Sequence, residues 1–200
     1  MTQASLTLRE VTGMGFGHAS LKDSALIMVD CQNTYRHGVM QLTNVEPAIV
    51  EAQKLLTMAR DLKIPVIHIQ HDAGVGTPYD ITADIGAISA EVAPQNGEPV
   101  VVKNYPNAFW HTNLEAQLKA LGVENVVLAG FMTHVCINST ARGAFNLGFK
   151  PTIIASACAT RSLLGPKGKV IEAQMMHDSA LAAVRDLFGV VLDDVESLKA

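Results

Sequence analysis

The sequence predicts a three-layer α/β fold built on a six-stranded parallel sheet. Six short apolar runs alternate along the chain with segments whose apolar residues recur at helical spacing, the signature of strand–helix–strand units with right-handed crossovers and helices on both faces. The runs are nearly continuous rather than alternately polar, as in strands buried on both faces. No linker, repeat or low-complexity tract interrupts the pattern, and 200 residues at 48% apolar suffice for one core. A single domain over residues 1–200 is therefore expected, with residues 1–20 as an N-terminal extension.

"SALIMVD" (Ser24–Asp30) is the first strand. "EPAIVEAQKLLTMARDL" follows as a helix, with Ile49, Ala52, Leu56, Ala59 and Leu62 on one stripe and Pro47 tolerated in its first turn. Pro65 closes that region and "VIHIQ" opens the second strand. The segment from Asp72 to Glu98 is glycine- and proline-rich and long for an idle connection, so it is expected to cover a site. "PVVVK" is the third strand. "TNLEAQLKALG" is a helix with a Thr112/Glu115 capping box, a Leu114, Leu118, Leu121 stripe and Gly122 as its stop. "VVLAG" and the helix "CINSTARGAFNLG" come next. "PTIIAS", a long helix over Lys169–Phe188 and "GVVL" complete the pattern.

Composition excludes several classes of function. A net charge of −4 leaves no basic footprint for nucleic acid. No apolar run approaches the ~18 residues of a membrane helix, and the first twenty residues lack the charged and apolar regions of a signal peptide. Three cysteines at irregular spacing argue against a disulfide framework and for a reducing cytoplasm.

Ligands of open parallel sheets bind beyond the carboxyl ends of the strands, so the residues that follow each apolar run matter most. Asp30 follows "ALIMV", Lys103 follows "PVVV", and Cys136 follows "VVLAG" after a short polar turn, at a helix start. A helix N-terminus favours the thiolate, a carboxylate can take the thiol proton, and a lysine beside that carboxylate keeps it ionised. Cys31 and Cys158 read as small buried hydrophobes. "GMGFG" (Gly13–Gly17) resembles a phosphate loop in composition only, since no strand precedes it. His68 and His71 lie three apart on an extended chain, hence on opposite faces, which opposes a shared metal. His177 reads as a core histidine on the last helix.

With these residues in place, the chain resembles the isochorismatase-like cysteine hydrolase superfamily, through "LIMVDCQNTY", "VVVKNYPNAF" and "LAGFMTHVCINSTARGAFNLGF" followed by "PTIIASACAT". The resemblance implies sheet order 3-2-1-4-5-6, a homo-oligomer, and an Asp30–Lys103–Cys136 triad. In that order Lys103 must reach Asp30 across a whole strand, nearly 10 Å at ~4.8 Å per step. It further implies hydrolysis of a small carboxamide or related C–N bond through a thioester, with backbone N–H groups of Met132 and Cys136 as the oxyanion hole and a cis peptide joining Phe131 to Met132. Tyr35, Phe109, Trp110 and His134, close to the triad in sequence, are candidates for the pocket wall of a small-molecule substrate. The Asp-x-His-x-His pattern by which many relatives bind a metal is absent from "IQHDAGVGTPYD", so neither metal nor cofactor is expected. Two alternatives stand: vinyl-ether hydrolysis with Asp30 as proton donor, and a non-catalytic binding protein that retains the fold.

Overall fold

In β1 (Ser24–Val29), Leu26 and Met28 pack to one side, and Ala25, Ile27 and Val29 to the other. This period of two, with every residue buried, is what a central strand between two helical layers requires. The computed structural model, which describes residues 4–95 and 97–198, repeats the arrangement in β2 (Val66–His71), β4 (Asn125–Phe131) and β5 (Lys150–Ala159). One apolar layer is supplied by α2 (Val45–Asp61), whose Val45, Ala48, Ile49, Ala52, Leu55, Leu56 and Ala59 are buried. The opposite layer is supplied by α3 (Leu114–Ala120), α4 (Asn138–Asn146) and α5 (Ala173–Leu187).

The sheet is six-stranded and parallel throughout, in the order β3-β2-β1-β4-β5-β8, with β3 at Val100–Lys103 and β8 at Val190–Leu192. The order is the one anticipated; its last member is the eighth strand of the chain because a short antiparallel hairpin, β6 (Leu163–Leu164) with β7 (Val170–Ile171), precedes it. That hairpin corrects the helix expected over Lys169–Phe188. Gly165 N–H donates to the Lys169 carbonyl, and Gly168 takes a positive φ that favours glycine, so the chain turns back before α5 begins. The capping box before α3 does not form either. The Thr112 hydroxyl donates to the Ala108 carbonyl and accepts from Leu114 N–H, Glu115 pairs with Lys119, and Leu121 is exposed beyond the buried Leu114 and Leu118.

At the N-terminus, α1 (Leu8–Val11) lies across the end of α5, with Leu8 N–H on the Asp186 carboxylate and the Arg9 guanidinium on the Leu187 carbonyl. At the carboxyl end of β4, Gly130 adopts φ +124°, and a Cβ there would stand 2.0 Å from the Val29 carbonyl oxygen. Only glycine fits, and the pairing of β4 with β5 shifts register at this point.

Candidate active site

The carboxyl ends of β1, β2, β3 and β4 converge on one buried charge cluster. Asp30 follows β1 with φ +50°, a left-handed conformation sparsely populated by side-chain-bearing residues but tolerated by aspartate. Its N–H continues the ladder to the Ile69 carbonyl of β2. Lys103, the last residue of β3, crosses the whole width of β2, and its Nζ stands 2.7 Å from Asp30 Oδ2. The same Nζ donates to Cys136 Sγ at 3.4 Å and to His71 Nδ1 at 3.1 Å. Asp30, Lys103 and Cys136 are 0%, 1% and 4% exposed, so these charges interact with little solvent screening.

Cys136 lies in a one-turn π-helix, Thr133–Ile137, that runs directly into α4. The Met132 carbonyl accepts from both Val135 N–H and Ile137 N–H, which opens the turn and sets Cys136 above the sheet edge. The Phe131–Met132 peptide is cis. The expectation of a thiolate at a helix start needs revision. Burial, and next the neighbouring Asp30 charge, push the Cys136 thiol well up, against the opposing pull of Lys103. Burial also raises the Asp30 carboxyl, which Lys103 only partly offsets. Asp30 and Cys136 thus both resist ionisation beside one ammonium, and two acids so close titrate as a pair rather than singly.

Other expected site residues are placed as follows. Tyr35 is buried beneath the site, edge-on to Phe131 and to Tyr79, with its hydroxyl pushed up first by burial and then by Asp30. His134 is half-buried and hydrogen-bonds through Nδ1 to the Thr160 hydroxyl at the end of β5; burial, then Arg161, lowers its pKa. Phe109 and Trp110 are not brought to the triad. Phe109 stacks on Phe149 at 5.6 Å, and Phe109 and Trp110 border a groove against Gly143 and Asn146 of α4 and Leu147 just beyond it, which no triad residue lines. Proximity to Lys103 in sequence fails there because the chain turns away after β3 and docks on α4. Gly143 accommodates this docking, since a Cβ would meet the Asn107 amide oxygen at 2.4 Å.

His71, Tyr79 and Arg161 were missed. His71 directly follows the apolar run "VIHIQ" and ends β2, where the rule applied to Asp30 and Lys103 finds it, whereas Arg161 lies two residues past the end of β5, beyond that rule. Tyr79 lies in the irregular segment, packed edge-on against the His71 ring at 4.9 Å. Arg161 is half-buried near Tyr79 and His134, and its Nε is shielded from solvent without a hydrogen-bond partner. Among the described residues no carboxylate forms an ion pair with it. His68 lies on the opposite face from His71, its Nε2 2.9 Å from Glu98, itself held by Arg60. Among the described residues no group of three or more His, Cys, Asp or Glu is placed to hold a metal ion, and no helix is long and apolar enough to cross a membrane.

Known proteins carry the same arrangement of strands. The isochorismatase domain model matches residues 24–195. A secreted isochorismatase effector, Isc1, of Verticillium dahliae is 30% identical over 187 residues, covering 93% of this chain and 96% of its own. A maleamate amidohydrolase of Pseudomonas putida is 34% identical over 162 residues, covering 72% and 74%. The crystal structure of an isochorismatase from Pseudomonas putida KT2440 superposes with a TM-score of 0.93 at 33% identity, over 98% of this chain and all of that one. Agreement over nearly the whole length, in sequence and in strand order, leaves one conclusion: the chain belongs to the isochorismatase family and is a hydrolase of that family.

Proposed function

We propose that the protein hydrolyses the C–N bond of a small carboxamide that also bears a carboxylate, through a thioester on Cys136. The observation that carries this reading is the single Lys103 ammonium in contact with both Asp30, at 2.7 Å, and Cys136, at 3.4 Å. The Cys136 proton passes to the Asp30 carboxylate while Sγ attacks the amide carbon. The negative charge thus moves from one neighbour of Lys103 to another, and the net charge of the cluster is unchanged, which lowers the cost of forming a thiolate in a buried site. The oxyanion is assigned to the N–H groups of Met132 and Cys136, each such donor contributing roughly 3 kcal/mol. Asp30 returns the proton to the amide nitrogen as the C–N bond breaks and ammonia or an amine leaves. Asp30 then takes a proton from water, the resulting hydroxide attacks the thioester, and the departing sulfur recovers that proton from Asp30.

Arg161 supports the anionic part of the substrate. A half-buried guanidinium without a carboxylate partner matches a planar anion bidentately. Maleamate, the substrate named for one relative, is an amide of this kind. The wall of the pocket is assigned to Tyr79, Tyr35 and His134. The homo-oligomer and the cytoplasmic location expected above belong to the same proposal.

The test is ammonia release from a panel of carboxylate-bearing and neutral amides, with intact-mass trapping of the acyl-enzyme. Wild type should turn over anionic amides, Cys136→Ala none, and Arg161→Met should lose at least tenfold in kcat/KM on anionic substrates only. A second reading rests on the raised Asp30 carboxyl, which would serve as a proton donor to a vinyl ether. Under that reading Cys136→Ala keeps its activity on a vinyl-ether substrate, and no amide is cleaved.

A further inference from the structure

Lys103 and His71 are register partners on adjacent parallel strands, so the lysine side chain passes His71 on its way to Asp30. An ammonium group carries three protons. Here it forms an ion pair with Asp30 Oδ2 at 2.7 Å and donates to His71 Nδ1 and Cys136 Sγ at 3.1 and 3.4 Å. Because an ammonium can only donate, His71 Nδ1 is the acceptor and the ring proton sits on Nε2. Burial, and next Lys103 itself, hold the imidazole below the usual histidine range and keep it neutral in the neutral pH range, against weaker pulls from Asp30 and Asp72.

The imidazole is itself held. Tyr79 packs edge-on against the ring. The main chain of His71 is gripped by Gln32, a fully buried residue two positions after Asp30: Gln32 Oε1 accepts from His71 N–H at 2.9 Å, and Nε2 donates to the His71 carbonyl at 2.9 Å and to the Gly86 carbonyl at 2.7 Å. The segment that carries Asp30 therefore fixes the strand end that carries His71.

We propose that His71 is a positioning residue: its Nδ1 takes one ammonium proton of Lys103 and so holds the ammonium where it meets both Asp30 and Cys136. It touches no reacting atom. Without it, one N–H of a buried cation loses its partner and the long lysine side chain can swing away from the thiol. The inference rests on the hydrolase reading of the Cys136 site, and its test has one arm that needs no substrate.

His71→Leu is expected to lower kcat about 100-fold with KM changed less than about twofold, the cost of misplacing a catalytic group by an ångström. It should also slow iodoacetamide alkylation of Cys136 at pH 8 by about tenfold, as the thiolate loses its cation. His71→Asn, whose Oδ1 falls near the position of Nδ1, should restore both to within about fivefold. If His71→Leu does not fold, His71→Gln serves instead; its oxygen falls near Nε2, away from Lys103, and it should show the same losses in a folded protein. Wild-type kcat and wild-type alkylation in a folded Leu or Gln variant would overturn the proposal. So would an Asn variant no better than Leu. Were the hydrolase reading wrong, no amide would turn over in any variant, yet the alkylation rates would still separate Asn from Leu and Gln.

Discussion

Lys103→Met nearly keeps the volume of the side chain, one atom shorter, and removes its charge, leaving Asp30 buried with no ammonium beside it. Removing one partner of a buried ion pair costs about 3–5 kcal/mol, and for a chain of this size each kcal/mol lowers Tm by roughly 2–4 °C. A drop of about 6–20 °C is therefore expected at pH 8. The loss depends on pH in a definite direction. Burial already raises the Asp30 carboxyl, and Lys103 is the main force pulling it back, so in the variant the folded-state value rises further. Folded protein then holds a proton that the unfolded chain releases above about pH 4. Relative stability is greatest below that unfolded value and is lost as pH rises toward the folded one, by up to about 1.4 kcal/mol per unit. Differential scanning fluorimetry of wild type, Lys103→Met and Asp30→Asn/Lys103→Met from pH 5 to 8 reads this out. The single variant should fall progressively behind wild type as pH rises, and the double variant should recover stability and lose the slope. A Lys103→Met protein as stable as wild type at pH 8, or a double variant no better than the single, would refute the account of Lys103 as counter-charge to Asp30.

Asp30→Asn should fold and lose about 10²–10⁴-fold in kcat on any amide substrate, because its amide can neither take nor return the thiol proton; near-normal turnover refutes the role. Since burial and Asp30 hold the Cys136 thiol high, its alkylation rate should climb about tenfold per pH unit from 7 to 9 without levelling, which stopped-flow labelling with peptide mapping would show; a plateau below pH 9 contradicts it. Gly130→Ala places a methyl 2.0 Å from the Val29 carbonyl and should cost several kcal/mol or prevent soluble expression; a thermal midpoint within about 2 °C of wild type would show that the β1 end yields easily. Turnover should survive exhaustive chelation, since His68 Nε2 and His71 Nδ1 are engaged by Glu98 and Lys103; stoichiometric metal whose removal abolishes turnover would overturn this.

The sheet was legible in the sequence because strands buried on both faces leave a continuous apolar mark, and parallel strands carry their chemistry at one edge. That is why Asp30, Lys103 and Cys136 stand out in the sequence alone. The hairpin at Leu163–Ile171 was not legible as strands, since two residues per strand carry no periodicity; Gly165, Pro166 and Gly168 marked only a turn. Phe109 and Trp110 show the limit of nearness in sequence, because the direction of the chain after Lys103 is set by docking on α4. The raised Cys136 thiol could not be read either: the helix start argued for a thiolate, and burial outweighed it. In the sequence His71 stands out only as a metal-ligand candidate, although the strand order already implies its place at the end of β2, between Lys103 and Asp30.

The central position of β1 also bears on how the protein is made. β1 pairs with β2 on one side and β4 on the other, and Ser24 meets Asn125 only after about a hundred intervening residues have been synthesised. As the chain emerges, β1, β2 and β3 can assemble first, bringing Lys103 to Asp30 while the far edge of β1 stays open. The interval from Lys103 to Cys136 lasts seconds at translation rates of roughly 5–20 residues per second. During it the nascent protein presents the unpaired backbone edge of a largely apolar strand, the kind of surface that invites pairing with another chain. The carboxylate and its counter-charge can thus meet before the nucleophile emerges, and a chain truncated ahead of β4 would be a half-sheet prone to aggregation.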